Sequence, residues 1–271
     1  MYVLVIYNLN QYNKIYNKLY NSGLYIICEE ENKGMKTFLT WTYFILYLII
    51  TMFKGIKLKF LKKYKTQKQA EDYIDKVVRK WGKSVINTVG IKVKVFGTEN
   101  MPAENCLFVS NHQSNLDIPI LAATLDKPIG FIAKKEMEKI PIASYWMRQM
   151  KCIFMDRENI RESIKSINLG AEYLKEGYSM VIFPEGTRSK CSKISEFKKG
   201  STKLGIKAEV PIVPVTIKGT CNCLEGNNNK FYGGDVNIVI HKPIYTKNLS
   251  KEEQNNLSES IRDIIEDGMK Y

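Results

Sequence analysis

Short apolar runs rich in β-branched residues alternate with helical segments along most of this chain. Such a chain folds as an α/β domain, since parallel neighbouring strands are joined by crossover helices. We therefore predict a mostly parallel or mixed central sheet flanked by helices. The predicted strands are KVKVF (92–96), CLFVS (106–110), GFIA (130–133), CIFM (152–155), YSMVIF (178–183), PIVPVTI (211–217) and VNIVIH (236–241). The predicted helices of this domain are 116–125, 141–150, 159–175, 196–207 and 250–269.

An uncharged apolar segment from Thr37 to Phe53 precedes this domain and is followed by a dense group of lysines. As a helix it would span about 25 Å, which is short for a hydrocarbon core of about 30 Å, so crossing a bilayer and dipping into its surface both stay open. A buried core helix is disfavoured, because the segment has no polar stripe and the lysines suit anionic headgroups. We expect membrane attachment, with the lysines on the cytoplasmic side if the helix crosses.

These features divide the chain into three parts. Residues 1–34, rich in Tyr and Asn without a sustained period, are interpreted as a low-complexity extension, and we expect Met35 to be the natural start. Residues 35–90 are the membrane-associated helical segment, in which apolar residues at every fourth position predict an amphipathic helix over 69–89. Residues 91–271 are the α/β domain. No small-residue cleavage site precedes the lysines, so a cleaved signal peptide is not expected.

The charge balance predicts an anionic partner. The chain carries 41 Lys and Arg against 28 Asp and Glu, a formal net charge of +13. Nucleic acid, an acidic membrane surface and a phosphorylated substrate all fit this charge. We do not expect a nucleic-acid partner, because the sequence contains no recognised DNA- or RNA-binding motif and the other two partners already account for the charge.

Cysteine usage gives little sign of a metal site. The six cysteines are scattered, and only Cys221 and Cys223 lie close together. A C-x-C pair without a second pair or a nearby histidine is a weak metal signal, and His112 and His241 are the only histidines. We therefore expect no metal, and reduced structural thiols in a cytosolic compartment.

The segment NHQSNLD follows the predicted strand CLFVS and contains a candidate general base. Ligands of an α/β sheet bind beyond the carboxyl ends of its strands. If His112 lies in the turn before the next helix, the carboxylate of Asp117 can reach one ring nitrogen and make the other more basic. An isolated histidine would more often be a packing residue. Ser114 is interpreted as a turn or capping serine, because it lacks the G-x-S-x-G elbow of a serine nucleophile.

A second polar turn, FPEGTRS (183–189), follows the predicted strand YSMVIF. It has neither P-loop nor Rossmann spacing. Gly186 allows a tight turn, and the planar guanidinium group of Arg188 matches phosphate oxygens, so the turn is a candidate phosphate-binding group. The alternative to phosphate binding is a structural role, in which Glu185 and Arg188 form a surface ion pair. Further cations, Lys134 and Arg157, follow the predicted strands GFIA and CIFM.

The segments NHQSNLD and FPEGTRS resemble the N-H-x-x-x-x-D and F-P-E-G-T-R motifs of the 1-acylglycerol-3-phosphate acyltransferases, which act in phosphatidic acid synthesis. KCIFMDR and VPIVPVTI are similar to two further blocks of that family, and the resemblance extends from Met35 to the C-terminus. It implies that His112 is the base and Asp117 its orienting partner. It also implies that the acceptor site is shaped by a set of polar and charged residues, namely Glu185, Gly186, Thr187, Arg188, Arg157 and Lys134.

The resemblance implies an enzyme that transfers a fatty acyl chain from acyl-CoA or acyl carrier protein to the sn-2 hydroxyl of lysophosphatidic acid, giving phosphatidic acid without a cofactor. Acylation of another lysophospholipid or of glycerol-3-phosphate would use the same motifs. A non-catalytic phospholipid-binding membrane protein is a further alternative, which would not need His112 and Asp117. The expected partners are membrane phospholipids and the two substrates, and the expected location is the cell membrane with the catalytic domain facing the cytoplasm.

Overall fold

The computed structural model of the chain describes residues 24–191 and 193–271. Within these residues seven strands form one central sheet, and each of the seven apolar runs predicted as a strand contributes one of them. The strands are β1 (Lys92–Phe96), β2 (Leu107–Ser110), β3 (Ile129–Lys134), β4 (Ile153–Met155), β5 (Ser179–Ile182), β6 (Ile212–Lys218) and β7 (Asp235–Ile240).

The strand order across the sheet is β1-β7-β6-β2-β5-β3-β4. The five strands from β6 to β4 run parallel to one another, with Phe108 of β2 opposite Val213 on one side and Val181 on the other. Strand β7 is antiparallel to β6, and β1 is parallel to β7, so these two strands run the opposite way. The predicted mixed sheet is therefore confirmed. The carboxyl ends of five strands meet at one edge.

Helices cover both faces of this sheet. They are α1 (Leu24–Tyr64), α2 (Gln67–Val89), α3 (Asp117–Thr124), α4 (Pro141–Gln149), α5 (Ile160–Lys175), α6 (Gly200–Ala208) and α7 (Lys251–Gly268). Alternate residues of a strand face opposite sides, so Phe108 packs into the core beneath α1 to α4, whereas Leu107 and Val109 pack into the core beneath α5 to α7.

One predicted helix starts later than expected. The sequence predicts a helix over 196–207, but α6 begins at Gly200. The backbone just before α6 forms hydrogen bonds to the turn after β5 instead. The N–H of Ser195 donates to the carboxylate of Glu185, and the N–H of Lys198 donates to the carbonyl oxygen of Pro184. These contacts tie the preceding segment to that turn and delay the start of the helix.

Helix α1 begins at Leu24, before the sequence boundary expected at Met35, and continues through the lysine-rich segment to Tyr64. The prediction for residues 1–23 lies outside the described residues. Thr40, Thr51 and Leu58 are buried on the side of α1 that packs against the protein, while many bulky apolar side chains on its other faces are exposed. Among the residues that the structure describes, no helix combines the length and the apolar character needed to cross a membrane.

Candidate active site

Polar side chains gather where the parallel strands end. His112 follows β2, Glu185 follows β5, Arg157 follows β4 and Thr220 follows β6. Since these strands run in the same direction, their loops lie along one edge of the sheet. Hydrogen bonds between the loops then bring residues that are distant in sequence into one site.

His112 and Asp117 form a close pair at the centre of this edge. The Nδ1 atom of His112 lies 2.7 Å from Oδ2 of Asp117. The histidine side chain is 12% exposed and the aspartate is fully buried. A carboxylate only accepts, so Nδ1 carries the proton and Nε2 is left as the basic nitrogen. Among the described residues no partner occupies Nε2, which is therefore available to take a proton.

Four donors surround the Asp117 carboxylate. Besides His112, the backbone N–H groups of Gln113 and Ser114 donate to Oδ2 at 2.7 and 2.9 Å. The hydroxyl of Thr220 donates to Oδ1 at 2.6 Å. Because Asp117 is the first residue of α3, its negative charge also sits at the positive end of the helix. The burial of this charge is thus compensated by its surroundings.

The imidazole ring and its backbone are held from the other side by the turn after β5. Phe183 stacks on the His112 ring, with 4.0 Å between ring centroids and 16° between the planes. The buried carboxylate of Glu185 accepts from the backbone N–H of His112 at 2.7 Å and from that of Ser195 at 3.0 Å. Glu185 therefore lies at the site, but its carboxylate binds the backbone rather than facing open space.

Gly186 shapes the turn that carries the phosphate-binding candidates. Its φ of +72° lies in the left-handed region, where a side chain would be strained. Arg157 donates from Nη1 to the carbonyl oxygen of Gly186, which joins the loop after β4 to this turn. Burial lowers the pKa of the Arg157 guanidinium group from its ordinary value. The ammonium group of Lys198 is also close, about 3.0 Å from the position that a Cβ on Gly186 would take.

Arg188 pairs with Glu225 rather than with Glu185. Its Nη1 donates to Oε1 of Glu225 at 2.7 Å, and the side chains are 30% and 3% exposed. Glu225 also accepts from the hydroxyl of Ser114 at 2.5 Å and from the N–H of Asn115 at 3.0 Å. Ser114 therefore binds a carboxylate instead of the imidazole. This buried glutamate connects the two motif loops.

The remaining predicted residues lie further out. Thr187 is exposed at the tip of its turn. Lys134 is the last residue of β3, at the same edge of the sheet, but its ammonium group lies 3.0 Å from Glu136 and is 63% exposed. The described contacts do not connect either side chain to the His112–Asp117 pair.

Two cysteines beside the site are joined by a disulfide. Cys191, shortly after Arg188, is bonded to Cys221, next to Thr220, with their Cα atoms 5.5 Å apart. The prediction of reduced thiols is therefore wrong for this pair. This pairing could not be predicted from the sequence, because the two cysteines are 30 positions apart. They meet only because the loops after β5 and β6 lie side by side. In the described part of the chain, no cluster of three or more His, Cys, Asp or Glu is placed to hold a metal ion.

Sequence reasoning missed Thr220, Glu225 and Lys198. The first two lie in the segment after β6, the strand that the proline-containing run PIVPVTI predicts. A signal was present, because this strand is parallel to β2 and the residues beyond its carboxyl end fall at the same edge. No sequence signal identified Lys198, which reaches the site through the turn around Gly186.

The arrangement suits proton abstraction from a substrate that carries a negative charge. A basic nitrogen is oriented by a buried carboxylate, and the guanidinium and ammonium groups of Arg157, Arg188 and Lys198 lie on the adjoining loops. Such a base can activate a hydroxyl group, and the cations can bind phosphate oxygens.

Comparison with known proteins agrees with this chemistry. The family described as "Acyltransferase" matches residues 92–218. The chain is 37% identical over 176 residues to the 1-acyl-sn-glycerol-3-phosphate acyltransferase BAT2, chloroplastic, of Brassica napus, covering 63% of this chain and 51% of that protein. It is 36% identical over 177 residues to the 1-acyl-sn-glycerol-3-phosphate acyltransferase of Borreliella burgdorferi, covering 65% of this chain and 71% of that protein.

The solved structure of PlsC, the 1-acyl-sn-glycerophosphate (LPA) acyltransferase of Thermotoga maritima, has a similar fold. It superposes with a TM-score of 0.76 at 30% sequence identity and covers 88% of this chain and 96% of that one. The likeness therefore extends over nearly the whole of the solved chain, whereas the match to the Brassica napus relative spans about half of that longer protein.

Proposed function

The chain belongs to the 1-acyl-sn-glycerol-3-phosphate acyltransferase family, and on that premise we propose that it transfers a fatty acyl chain from a thioester to the sn-2 hydroxyl of lysophosphatidic acid. The product is phosphatidic acid, and the donor is acyl-CoA or acyl carrier protein. The observation that carries the proposal is the 2.7 Å contact between His112 and Asp117 on the same edge as Arg188 and Arg157.

In the proposed reaction His112 acts first as a base and then as an acid. Its Nε2 takes the proton of the sn-2 hydroxyl while the hydroxyl oxygen attacks the thioester carbonyl carbon. The C–S bond then breaks, and the imidazolium returns its proton to the thiolate that leaves. General acid–base catalysis of this kind contributes about 10²- to 10⁴-fold to the rate. Asp117 keeps the ring in the tautomer that the reaction requires.

The cations would bind the phosphate of the acceptor. Arg188 uses Nη1 for Glu225, which leaves its other guanidinium N–H groups for phosphate oxygens. Arg157 uses Nη1 for the Gly186 carbonyl in the same way. Glu225 neutralises part of the charge of Arg188, so Arg157 and Lys198 would supply much of the attraction. Lys134, Thr187 and Gly186 complete the proposed acceptor site, with Glu185 supporting it through the backbone of His112.

We further propose that the protein works at a membrane, with its catalytic domain on the cytoplasmic side. Support comes from α1, whose exposed face carries a dense row of bulky apolar side chains, including Phe38, Leu39, Trp41, Ile45, Leu46, Ile49, Ile50, Met52, Phe53 and Ile56. An apolar surface of this extent is normally covered by a partner or a lipid. The lysines at the end of this helix would meet anionic headgroups, and both acceptor and product are lipids.

The test is an assay of the purified full-length protein with a panel of acceptors and both donors. Lysophosphatidic acid should be acylated at its sn-2 position faster than glycerol-3-phosphate or a lysophospholipid with a larger headgroup. Monoacylglycerol, which keeps the hydroxyl but lacks the phosphate, should be a poor acceptor. If the thioester is hydrolysed or left intact while no acceptor is acylated, the proposed function is wrong.

A further inference from the structure

Thr220 lies beside the His112–Asp117 pair and contacts the Asp117 carboxylate. Its side chain is fully buried, and its hydroxyl donates to Oδ1 of Asp117 at 2.6 Å. The other three donors to this carboxylate, two backbone N–H groups and the imidazole, all bind Oδ2. Within the described residues, Thr220 is therefore the sole donor to Oδ1.

The division of donors between the two oxygens matters for the orientation of the carboxylate. A carboxylate held at both oxygens cannot rotate about its terminal bond, whereas one held at a single oxygen can. A buried charged oxygen without a donor is also costly, so the carboxylate would turn to regain one. Without the Thr220 hydroxyl, rotation of the carboxylate would let Oδ1 share the backbone N–H groups and move Oδ2 away from His112.

The backbone around Thr220 is itself held firmly. Gly219, in the left-handed region with a φ of +102°, approaches β7 so closely that a Cβ there would lie 2.4 Å from the carbonyl oxygen of Asp235. The N–H of Gly219 donates to Oε1 of Gln113 at 3.1 Å. On the other side, the disulfide fixes Cys221 to Cys191. Thr220 is thus presented to Asp117 by neighbours that leave little freedom of movement.

We propose that Thr220 is a positioning residue for the reaction, which holds the Asp117 carboxylate in the plane that orients His112. This inference rests on the proposed function. In this role Thr220, whose side chain is fully buried, acts through Asp117 rather than on the substrate. Its loss should therefore slow the chemical step without changing the affinity for either substrate.

The experiment compares three variants of the full-length protein. Thr220→Val removes the hydroxyl but keeps the shape, and Thr220→Ser restores the hydroxyl. Thr216→Val is the matched control, since Thr216 is equally buried on β6 and its hydroxyl bonds to Ile265 and His241, away from the site. Thr220→Val should lower kcat about 10-fold or more while both KM values stay within about twofold. Thr220→Ser should recover most of kcat, and Thr216→Val should keep it.

A second measurement does not depend on turnover. The chain has two histidines, so the imidazole ¹⁵N spectrum contains only the signals of His112 and His241, and a His241→Gln variant assigns them. The wild type and Thr220→Ser should show His112 protonated at Nδ1 alone. Thr220→Val should show a mixture of the two tautomers. An unchanged His112 spectrum together with an unchanged kcat in Thr220→Val would overturn the inference.

These readouts separate the two proposals. A wild type that fails to acylate any acceptor, while Thr220→Val still alters the His112 tautomer, overturns the proposed function and supports the role of Thr220. A wild type that acylates lysophosphatidic acid, with Thr220→Val as active as Thr216→Val, supports the function and overturns the role of Thr220. Equal losses of kcat in Thr220→Val and Thr216→Val would also overturn it, because they would show a general effect on folding.

Discussion

Arg188 donates to the buried carboxylate of Glu225 across 2.7 Å. The same carboxylate binds Ser114 and Asn115 of the loop that carries His112, so one glutamate fixes the proposed phosphate-binding arginine relative to the proposed base. A substrate held at both positions must match this fixed spacing. In the proposed reaction, the spacing between Arg188 and His112 therefore selects acceptors with a matching distance between phosphate and reacting hydroxyl.

Replacing Arg188 tests the phosphate site. Arg188→Ala should raise the KM for lysophosphatidic acid and lower kcat/KM about 10- to 100-fold, which corresponds to one charge-assisted hydrogen bond of roughly 1.5 to 3 kcal/mol. Arg188→Lys should recover only part of the loss, because an ammonium group lacks the planar geometry of a guanidinium group. With monoacylglycerol as the control acceptor, the substitution should matter little. Equal losses on both acceptors would show that Arg188 supports the fold or the donor site.

Replacing Glu225 should affect the acceptor through Arg188. Glu225→Ala leaves the guanidinium group unheld, so the KM for lysophosphatidic acid should rise about threefold to tenfold. In the double variant Arg188→Ala/Glu225→Ala, the rise in this KM should be close to that of Arg188→Ala, since Glu225 affects acceptor binding through its contact with Arg188, whereas its contacts with Ser114 and Asn115 bear on kcat. Steady-state kinetics of the four proteins measures this coupling. Simple addition of the two effects on this KM would contradict it.

The roles of His112 and Ser114 can be separated by substitution. His112→Ala should abolish acyl transfer, with circular dichroism and Tm showing a folded protein. Ser114→Ala should keep most of the activity, because Ser114 bonds to Glu225 and its hydroxyl lies outside the His112–Asp117 contact. An inactive Ser114→Ala protein, together with an acyl group trapped on Ser114 in the wild type, would refute direct attack by the acceptor hydroxyl.

The disulfide should stabilise the loops beside the site. Closing a loop of 30 residues contributes about 3 to 4 kcal/mol to the free energy of unfolding in the chain-entropy account. Cys191→Ser and Cys221→Ser should therefore lower stability to the same extent, and reducing agent should destabilise the wild type but neither variant. Urea unfolding measures these differences, and peptide mapping without reduction should recover the two cysteines in one linked product. Recovery of both as separate alkylated peptides would exclude the bond.

The exposed apolar face of α1 should bind lipid. Substituting Ile49 and Phe53 by serine should reduce co-sedimentation with anionic vesicles at least about tenfold, since each buried apolar side chain contributes roughly 1.5 to 3 kcal/mol. Ile164→Ser on α5 is the control, because Ile164 is also exposed but lies on a helix of the opposite face of the sheet. Complete release of the wild type by high salt would show that charge alone holds it.

Local sequence patterns were sufficient for the strands and for the central pair. His112 and Asp117 are five positions apart, so a turn followed by a helix start brings them together without information from elsewhere in the chain. The runs of the central strands β2, β5 and β6 were equally clear, because a parallel sheet buried on both faces requires continuous apolar segments. Arg157 and Arg188 could be found because each lies shortly after the carboxyl end of a recognisable strand.

Contacts between distant loops could not be predicted from local sequence patterns. The sequence offered Glu185, three positions away, as a partner for Arg188, but Glu185 turns inward to two backbone N–H groups and Glu225 takes its place. For a related reason, the sequence did not indicate which face of α1 packs against the protein. Threonine hydroxyls can bond within their own helix, as that of Thr51 does to Leu48, so threonines can face the protein while larger apolar residues face outward.

The bonds that assemble the site join positions far apart in the chain. His112 and Glu185 are separated by 73 residues, Asp117 and Thr220 by 103, and Ser114 and Glu225 by 111. The central strands pair over similar separations, with Phe108 opposite both Val181 and Val213, so the sheet and the site require the closure of loops of the same length. Partly folded chains would then have helices, which form from local contacts, without the central sheet and without a working base. During refolding, catalytic activity should return together with the central sheet and after the recovery of most helical structure.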